Sequence, residues 1–93
     1  MTRYACRKDA TQPEIVAFLE RCGATVQVLN ANDAGVPDLL CGWSGDNYLI
    51  EAKTATGKLS TGQIVWHNRW QGRKPVVLRS VADAQRWIES RKK

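Results

Sequence analysis

The sequence predicts a small α/β domain in which a mixed β-sheet of about four strands is flanked by helices. Apolar residues recur at helical spacing in three segments, and each segment follows a residue that can cap a helix. Shorter runs rich in valine, leucine and isoleucine lie between these segments and are typical of strands. Polar turns containing glycine separate the elements, so the predicted order is α-β-β-β-α-β-α.

The first helix is predicted from a start signal, an apolar stripe and a stop signal. Thr11 is the expected N-cap, and Glu14 lies three residues later, the spacing of a capping box. Gly23 is the natural end of this helix. The apolar positions at helical spacing are Ile15, Phe18, Leu19 and Cys22.

Three strands are predicted next, over residues 24–29, 38–43 and 48–54. The polar segment 30–37 separates the first two strands. Residues 44–47 have the composition of a hairpin turn, so the second and third strands are expected to be antiparallel neighbours.

The rest of the chain is predicted to add a helix, a strand and a helix. Ser60 is expected to cap a helix that runs to about Gln71, and a strand follows over residues 75–78. Ser80 is expected to cap the last helix, whose apolar residues face one side.

Composition narrows the class of protein. The 93 residues, 43% of them hydrophobic and four of them tryptophan, predict one folded domain over residues 1–93. The apolar runs are too short to span a membrane and no signal peptide begins the chain, so we expect a cytoplasmic protein.

Three widely spaced cysteines and one histidine suggest reduced thiols rather than a zinc site. A formal net charge of +5 favours a polyanionic partner, without separating DNA from RNA.

Three charged residues stand in the two strands around the predicted hairpin. Strand alternation places Glu51 and Lys53 on one face, with Cα atoms roughly 6–7 Å apart, and the hairpin brings Asp38 to the same edge. Two converging carboxylates repel unless a cation lies between them, and an oxygen-only pair suits Mg²⁺ or Mn²⁺. A lysine beside them can hold the attacking water or stabilise charge on a phosphate. Spacing alone slightly favours the alternative, a cross-strand ion pair of Lys53 with either carboxylate.

A wider pattern of motifs supplies a family resemblance. Pro37-Asp38 followed by Glu51-Ala52-Lys53 resembles the signature of the PD-(D/E)XK nucleases. The set as a whole resembles the VRR-NUC family within that superfamily, over roughly residues 11–80. The motifs of this sequence that form the set are Gly35-Val-Pro-Asp-Leu-Leu, Ile50-Glu-Ala-Lys-Thr, Gly57-Lys-Leu-Ser and Gln63. The resemblance implies a restriction-endonuclease-like core.

The resemblance also implies roles for individual residues. Asp38 and Glu51 match the metal-binding carboxylates, and the backbone carbonyl of Ala52 would be a further ligand of Mg²⁺ or Mn²⁺. Lys53 matches the lysine that directs the hydrolytic water. Gln63 matches a glutamine that lines the site, although by itself it is an ordinary exposed helix residue.

Four further residues are assigned less directly. Glu14 falls where such nucleases place an acidic residue that supports the metal site, in some cases through water, and the capping box is an equal alternative for it. Lys58 and Arg73 are candidate contacts to phosphates of a nucleic acid. His67 lies one helical turn after Gln63 but is left outside the catalytic set, because a lone histidine is more often structural.

The function implied by the resemblance is that of a Mg²⁺-dependent endodeoxyribonuclease. Short stand-alone members resemble phage-encoded Holliday-junction resolvases, so we expect a homodimer acting on four-way DNA junctions in a prokaryotic or phage-infected cell. A nuclease acting on flap, nicked or duplex DNA is an alternative. A non-catalytic DNA-binding module of the same fold is another, although a degenerate nuclease would be expected to have lost one of the three charged site residues.

Overall fold

The computed structural model describes residues 11–30 and 35–91 of the chain. The helices are α1 (Thr11–Arg21), α2 (Thr61–Arg69) and α3 (Val81–Ser90). The strands are β1 (Thr25–Val28), β2 (Leu39–Trp43), β3 (Asp46–Ala52) and β4 (Val76–Leu78). The predicted order of elements and the mixed sheet of four strands are both confirmed.

The four strands lie in the order β1-β2-β3-β4. The pairs β1–β2 and β2–β3 are antiparallel, and β4 is parallel to β3. A parallel neighbour requires a crossover connection, and α2 lies in that connection. The helix is therefore positioned by the path of the chain between β3 and β4.

The β2–β3 hairpin is tighter than the sequence predicts. Its turn consists of Ser44 and Gly45, with φ angles of 51° and 88°, and Trp43 pairs with Asp46 directly across it. Positive φ at both central residues is the backbone of a two-residue turn that matches the twist of the strands. As a result β3 begins two residues earlier than predicted and ends at Ala52.

Two other boundaries differ from prediction for local reasons. Thr11 already lies inside α1 rather than capping it, and the residue before it is outside the described part of the chain. The fourth strand begins at Val76 because Pro75 has no N–H to donate to a ladder. The predicted stop signal is confirmed, since Gly23 follows α1 with φ of 99°.

The core lies on one face of the sheet, between the strands and the pair α1 and α3. Tyr48 and Trp87 meet there edge to face, with ring centroids 4.9 Å apart. Cys41 is fully buried in this core and Cys22 packs against it, both as free thiols. The other buried members are Ile15, Leu19, Ala24, Leu39, Ile50, Leu78, Ala84 and Ile88.

The opposite face of the sheet carries α2, which buries none of its residues fully. Ile64 and Val65 on this helix are 47% and 56% exposed, so α2 presents no fully buried apolar stripe to the sheet. No helix in the described residues is long and apolar enough to cross a membrane.

Candidate metal centre

Asp38 is fixed where the chain enters β2. The register that pairs Leu39 with Ile50 sets Asp38 beside Glu51 on the neighbouring strand. The carboxylate of Asp38 accepts a hydrogen bond of 2.9 Å from the backbone N–H of Ala52, and its carbonyl accepts one of 2.8 Å from Leu29. Backbone groups on both neighbouring strands therefore hold this residue.

Glu51 is the buried carboxylate of the site, with 1% of its surface exposed. Burial raises the pKa of its carboxyl to about 8, and the charge of Asp38 and a hydrogen bond between the two carboxyl groups act in the same direction. The nearby ammonium of Lys53 opposes the shift. The carboxylate of Asp38 thus lies close enough to Glu51, at the end of β3, to act on the pKa of Glu51.

Gln63 reaches Glu51 from the first turn of α2. Its side-chain amide donates a hydrogen bond of 3.0 Å to Oε2 of Glu51, while its amide oxygen accepts one of 2.8 Å from the backbone N–H of Ser60. The hydroxyl of Ser60 in turn accepts from the backbone N–H of Gln63, which completes a capping box. The cap that starts the helix therefore also orients the amide that points to the carboxylate.

The first turn of α2 is brought close to the segment before Asp38 by two glycines. A Cβ atom placed on Gly35 would lie 2.3 Å from the carbonyl oxygen of Gly62, and the φ of Gly35 is 94°. Both the contact and the backbone conformation exclude a side chain at this position. This close backbone approach sets how α2 lies across the sheet.

Lys53 follows β3 directly and lies at the same cavity as the two carboxylates. Ion pairs among the described residues include Arg73 with Asp46 and Arg86 with Asp83. Lys53 forms none within 4.0 Å, so the cross-strand ion pair that spacing allowed is not present. Its ammonium group is near enough to act on the pKa of Glu51 without being bonded to it.

Arg79, which directly follows β4, holds the segment between Lys53 and Ser60 in place. The guanidinium of Arg79 donates hydrogen bonds to the carbonyl oxygens of Thr54, at 2.8 Å, and Gly57. The turn also closes on itself through the N–H of Gly57 and the carbonyl of Thr54. Both ends of the connection, which carry Lys53 and the α2 cap, are thereby held in relation to the sheet.

The cavity has a volume of about 340 Å³, room for about ten waters at roughly 30 Å³ each. The residues that line it are Thr11, Gln12, Pro13, Asp38, Glu51, Ala52, Lys53 and Gln63. The structure thus brings together, at one cavity, the two carboxylates, the lysine, the glutamine and the alanine that the sequence singled out.

The donor set fits a hard divalent cation. Asp38 and Glu51 offer carboxylate oxygens, and a cation between them would offset both the burial and the repulsion by Asp38 that raise the pKa of Glu51. Among residues 11–30 and 35–91 there is no cluster of three or more His, Cys, Asp or Glu side chains arranged to hold a metal. Mg²⁺ commonly binds through one or two carboxylates and keeps several waters, so a two-carboxylate site suits it.

The other candidates lie differently. Glu14 is exposed in the first turn of α1, next to the lining residues Gln12 and Pro13 but outside the described cavity lining itself. Lys58 is exposed on the segment that Arg79 fastens. The roles proposed for Glu14 and Lys58 stay predictions.

Arg73 lies away from the cavity. Its guanidinium is 4.4 Å from the ring centroid of Tyr48 and 3.9 Å from the carboxylate of Asp46, at the start of β3. Five residue-to-residue steps of strand, about 16 Å at roughly 3.3 Å each, separate the Cα atoms of Asp46 and Glu51. A nucleic-acid contact by Arg73 stays a prediction, and it would be made at a distance from the carboxylates.

Two residues near the site were not assigned to it from the sequence. His67 places Nε2 3.4 Å from Oε1 of Glu51, and burial lowers the pKa of its imidazole. Its spacing of four residues from Gln63 was the available signal, since residues one turn apart share a helix face. Arg79 gave no signal, because its carbonyl partners lie 22 and 25 residues away in the chain.

Comparison with known proteins supports the fold. No family model matches the sequence, and no curated protein matches it. A solved structure of a VRR_NUC domain is similar, with a TM-score of 0.77 and 24% sequence identity, over 91% of this chain and 97% of that chain. The resemblance to VRR-NUC domains is thus confirmed as a likeness of fold.

Proposed function

We propose that this domain, with its VRR_NUC-like fold, is a Mg²⁺- or Mn²⁺-dependent DNA endonuclease. The observation that carries the proposal is the convergence of Asp38, Glu51 and Lys53 at one open cavity, with the lysine free of an ion pair to either carboxylate. A lysine bonded to a carboxylate would favour a structural role. An unpaired ammonium beside two facing carboxylates favours chemistry on a phosphate.

Each residue has a task that its position supports. Asp38 and Glu51 would hold the cation, with the carbonyl of Ala52 as a further ligand, and Gln63 would keep Glu51 oriented. A bound divalent cation supplies charge that stabilises the developing negative charge on the phosphate. Lys53 would hold the attacking water by a hydrogen bond and place its ammonium beside the scissile phosphodiester.

The substrate we propose is branched DNA, with a four-way junction as the expected form and a homodimer as the active species. The net charge of +5 supports a nucleic-acid partner. A two-fold dimer would present two sites to two symmetric strands of a junction. We place the protein in the cytoplasm of a prokaryotic or phage-infected cell.

The test is incubation with a synthetic four-way junction, a flap, a plain DNA duplex and an RNA duplex, each with Mg²⁺, Mn²⁺ or EDTA. We expect product from the junction with either metal and none with EDTA. Absence of metal-dependent product on all substrates would contradict the nuclease function. Equal cutting of the three DNA substrates would contradict only the junction preference, and light scattering tests the dimer.

Variants test the assignment of the site. Lys53→Met and Asp38→Asn should abolish cutting while junction binding is retained, because binding depends on many phosphate contacts. Arg86→Gln and Glu20→Gln remove one charge each on exposed helix surfaces and serve as matched controls. Wild-type cutting by Lys53→Met would contradict the role given to the lysine.

A further inference from the structure

His67 approaches Glu51 from the second turn of α2. Its Nε2 lies 3.4 Å from Oε1, whereas the amide nitrogen of Gln63 lies 3.0 Å from Oε2. Each oxygen of the buried carboxylate thus has its own partner, and the two partners stand one helical turn apart on the same helix. A glutamate side chain held at both oxygens is fixed in rotation as well as in position.

His67 makes this contact from behind the cavity. Its side chain is only 12% exposed, and it is not among the described residues that line the cavity, whereas Gln63 is. A carboxylate has about four lone-pair sites, so one hydrogen bond to each oxygen leaves others for a cation on the cavity side. The arrangement is that of a supporting group rather than a ligand.

The end of α2 that carries His67 is itself held. Lys74 donates through Nζ to the carbonyl oxygens of His67, Asn68 and Trp70, at 3.1, 3.0 and 2.7 Å. The His67 backbone is therefore fixed by a contact that does not involve Glu51. An imidazole on a fixed backbone can orient a carboxylate instead of merely following it.

We propose that His67 is a positioning residue that sets the orientation of Glu51 for cation binding, an inference that rests on the proposed function. The contact between Nε2 and Oε1 and the hydrogen bond from Gln63 to Oε2 act as a pair. Loss of one leaves the carboxylate free to rotate about the other. Supporting partners of this kind contribute about 10–100-fold to metal affinity.

The test is the affinity for Mn²⁺, measured by calorimetric titration of wild type, His67→Ala, His67→Gln and Asn68→Ala. His67→Ala should bind Mn²⁺ about 10–100-fold more weakly. His67→Gln should recover part of the loss, because its amide can donate to the same oxygen. Asn68→Ala changes an exposed neighbour on the same helix and should bind as wild type does. Circular dichroism and thermal unfolding of the metal-free proteins verify that each variant is folded.

The outcomes separate this inference from the proposed function. Failure of the wild type to bind Mn²⁺ would contradict the metal site itself. Binding by the wild type with unchanged affinity in His67→Ala would contradict the role of His67 alone. Equal loss in His67→Ala and His67→Gln would also contradict it, because packing rather than a hydrogen bond would then explain the effect.

Discussion

The two faces of the sheet are held to their helices by different forces. On the face of α1 and α3, apolar side chains such as Ile50 and Trp87 are buried and the helices pack on them. On the face of α2, the helix buries no residue fully and meets the sheet through hydrogen bonds to Glu51. Ile50 and Glu51 are neighbours in sequence, yet one supports the core and the other faces the cavity, since side chains alternate along a strand.

The apolar face of the sheet contributes mainly to stability, whereas the polar face carries the groups of the candidate metal site. The apolar face buries the side chains whose removal from water favours folding. The polar face holds an acid whose ionisation is unfavourable in the metal-free protein, as its raised pKa indicates. Substitutions on the apolar face should therefore change mainly the free energy of unfolding. Substitutions on the polar face should change the pH dependence of stability and the affinity for Mn²⁺.

The largest effect on stability is expected from substitution of Leu39. Its neighbour Leu40 faces the opposite side of β2 and serves as the comparison. Leu39 is fully buried and Leu40 is 38% exposed. Leu39→Ala should lower the free energy of unfolding by about 2–5 kcal/mol because it leaves a cavity in the core. Leu40→Ala should cost about 1 kcal/mol or less. Urea denaturation of both variants measures the difference, and equal losses would contradict the assignment of the core to one face.

The next effect is the pH dependence that Glu51 imposes on the metal-free protein. Its folded-state pKa of about 8 lies above that of the unfolded chain, so the folded state retains a proton that the unfolded state releases. Stability from this group is complete below about pH 4.5 and is lost as pH rises through about 8, by roughly a few kcal/mol. Thermal unfolding in EDTA across this range should show the decline.

Two further conditions sharpen that experiment. Mg²⁺ should reduce the decline, because a ligand that binds only the folded state stabilises it by mass action. Glu51→Gln keeps the shape of the side chain without its charge, so it should abolish Mn²⁺ binding and remove the decline in stability with rising pH. A wild-type decline that persists in Glu51→Gln would assign it to another group.

The smallest effect is expected from the loss of a helix cap. The molecule offers two caps for comparison, one on each side of the sheet. Ser60 caps α2 and Ser80 caps α3, each by accepting a backbone N–H three residues later. Replacement of either by alanine should cost about 0.5–2 kcal/mol of stability. Only Ser60→Ala should also weaken Mn²⁺ binding, because the lost hydroxyl no longer accepts the backbone N–H of Gln63 and the first turn of α2, which carries that residue, is loosened. Equal Mn²⁺ affinity in both variants would show that the α2 cap is not needed for the site.

Much of this arrangement could be predicted from local rules. Strand alternation and the hairpin placed Glu51, Lys53 and Asp38 at one edge, since both rules depend only on neighbouring residues. Gln63 was found through the wider motif rather than through spacing. The turn was predicted two residues too long, because the sequence Ser-Gly-Asp-Asn allows several turns and the pairing of Trp43 with Asp46 selects one.

The remaining contacts depend on tertiary geometry. Whether His67 reaches Glu51 depends on how α2 lies across the sheet, and the close approach of Gly35 to Gly62 sets that angle. Whether Arg73 lies near the cavity depends on which end of β3 it meets, and its partner is Asp46 at the far end. Helical or strand periodicity carries no information about either relation.

The hydrogen bonds from Arg79 to the carbonyl oxygens of Thr54 and Gly57 affect how fast the connection between β3 and α2 can move. Connections between a strand and a helix are often the slowly opening lids of enzymes, which move on microsecond to millisecond timescales. Here the segment after Lys53 is tied to the end of β4, and such ties raise the free energy of local opening. Under the proposed function, a substrate would then be accommodated by fast rotations of exposed side chains such as Lys58 and by bending of the substrate itself.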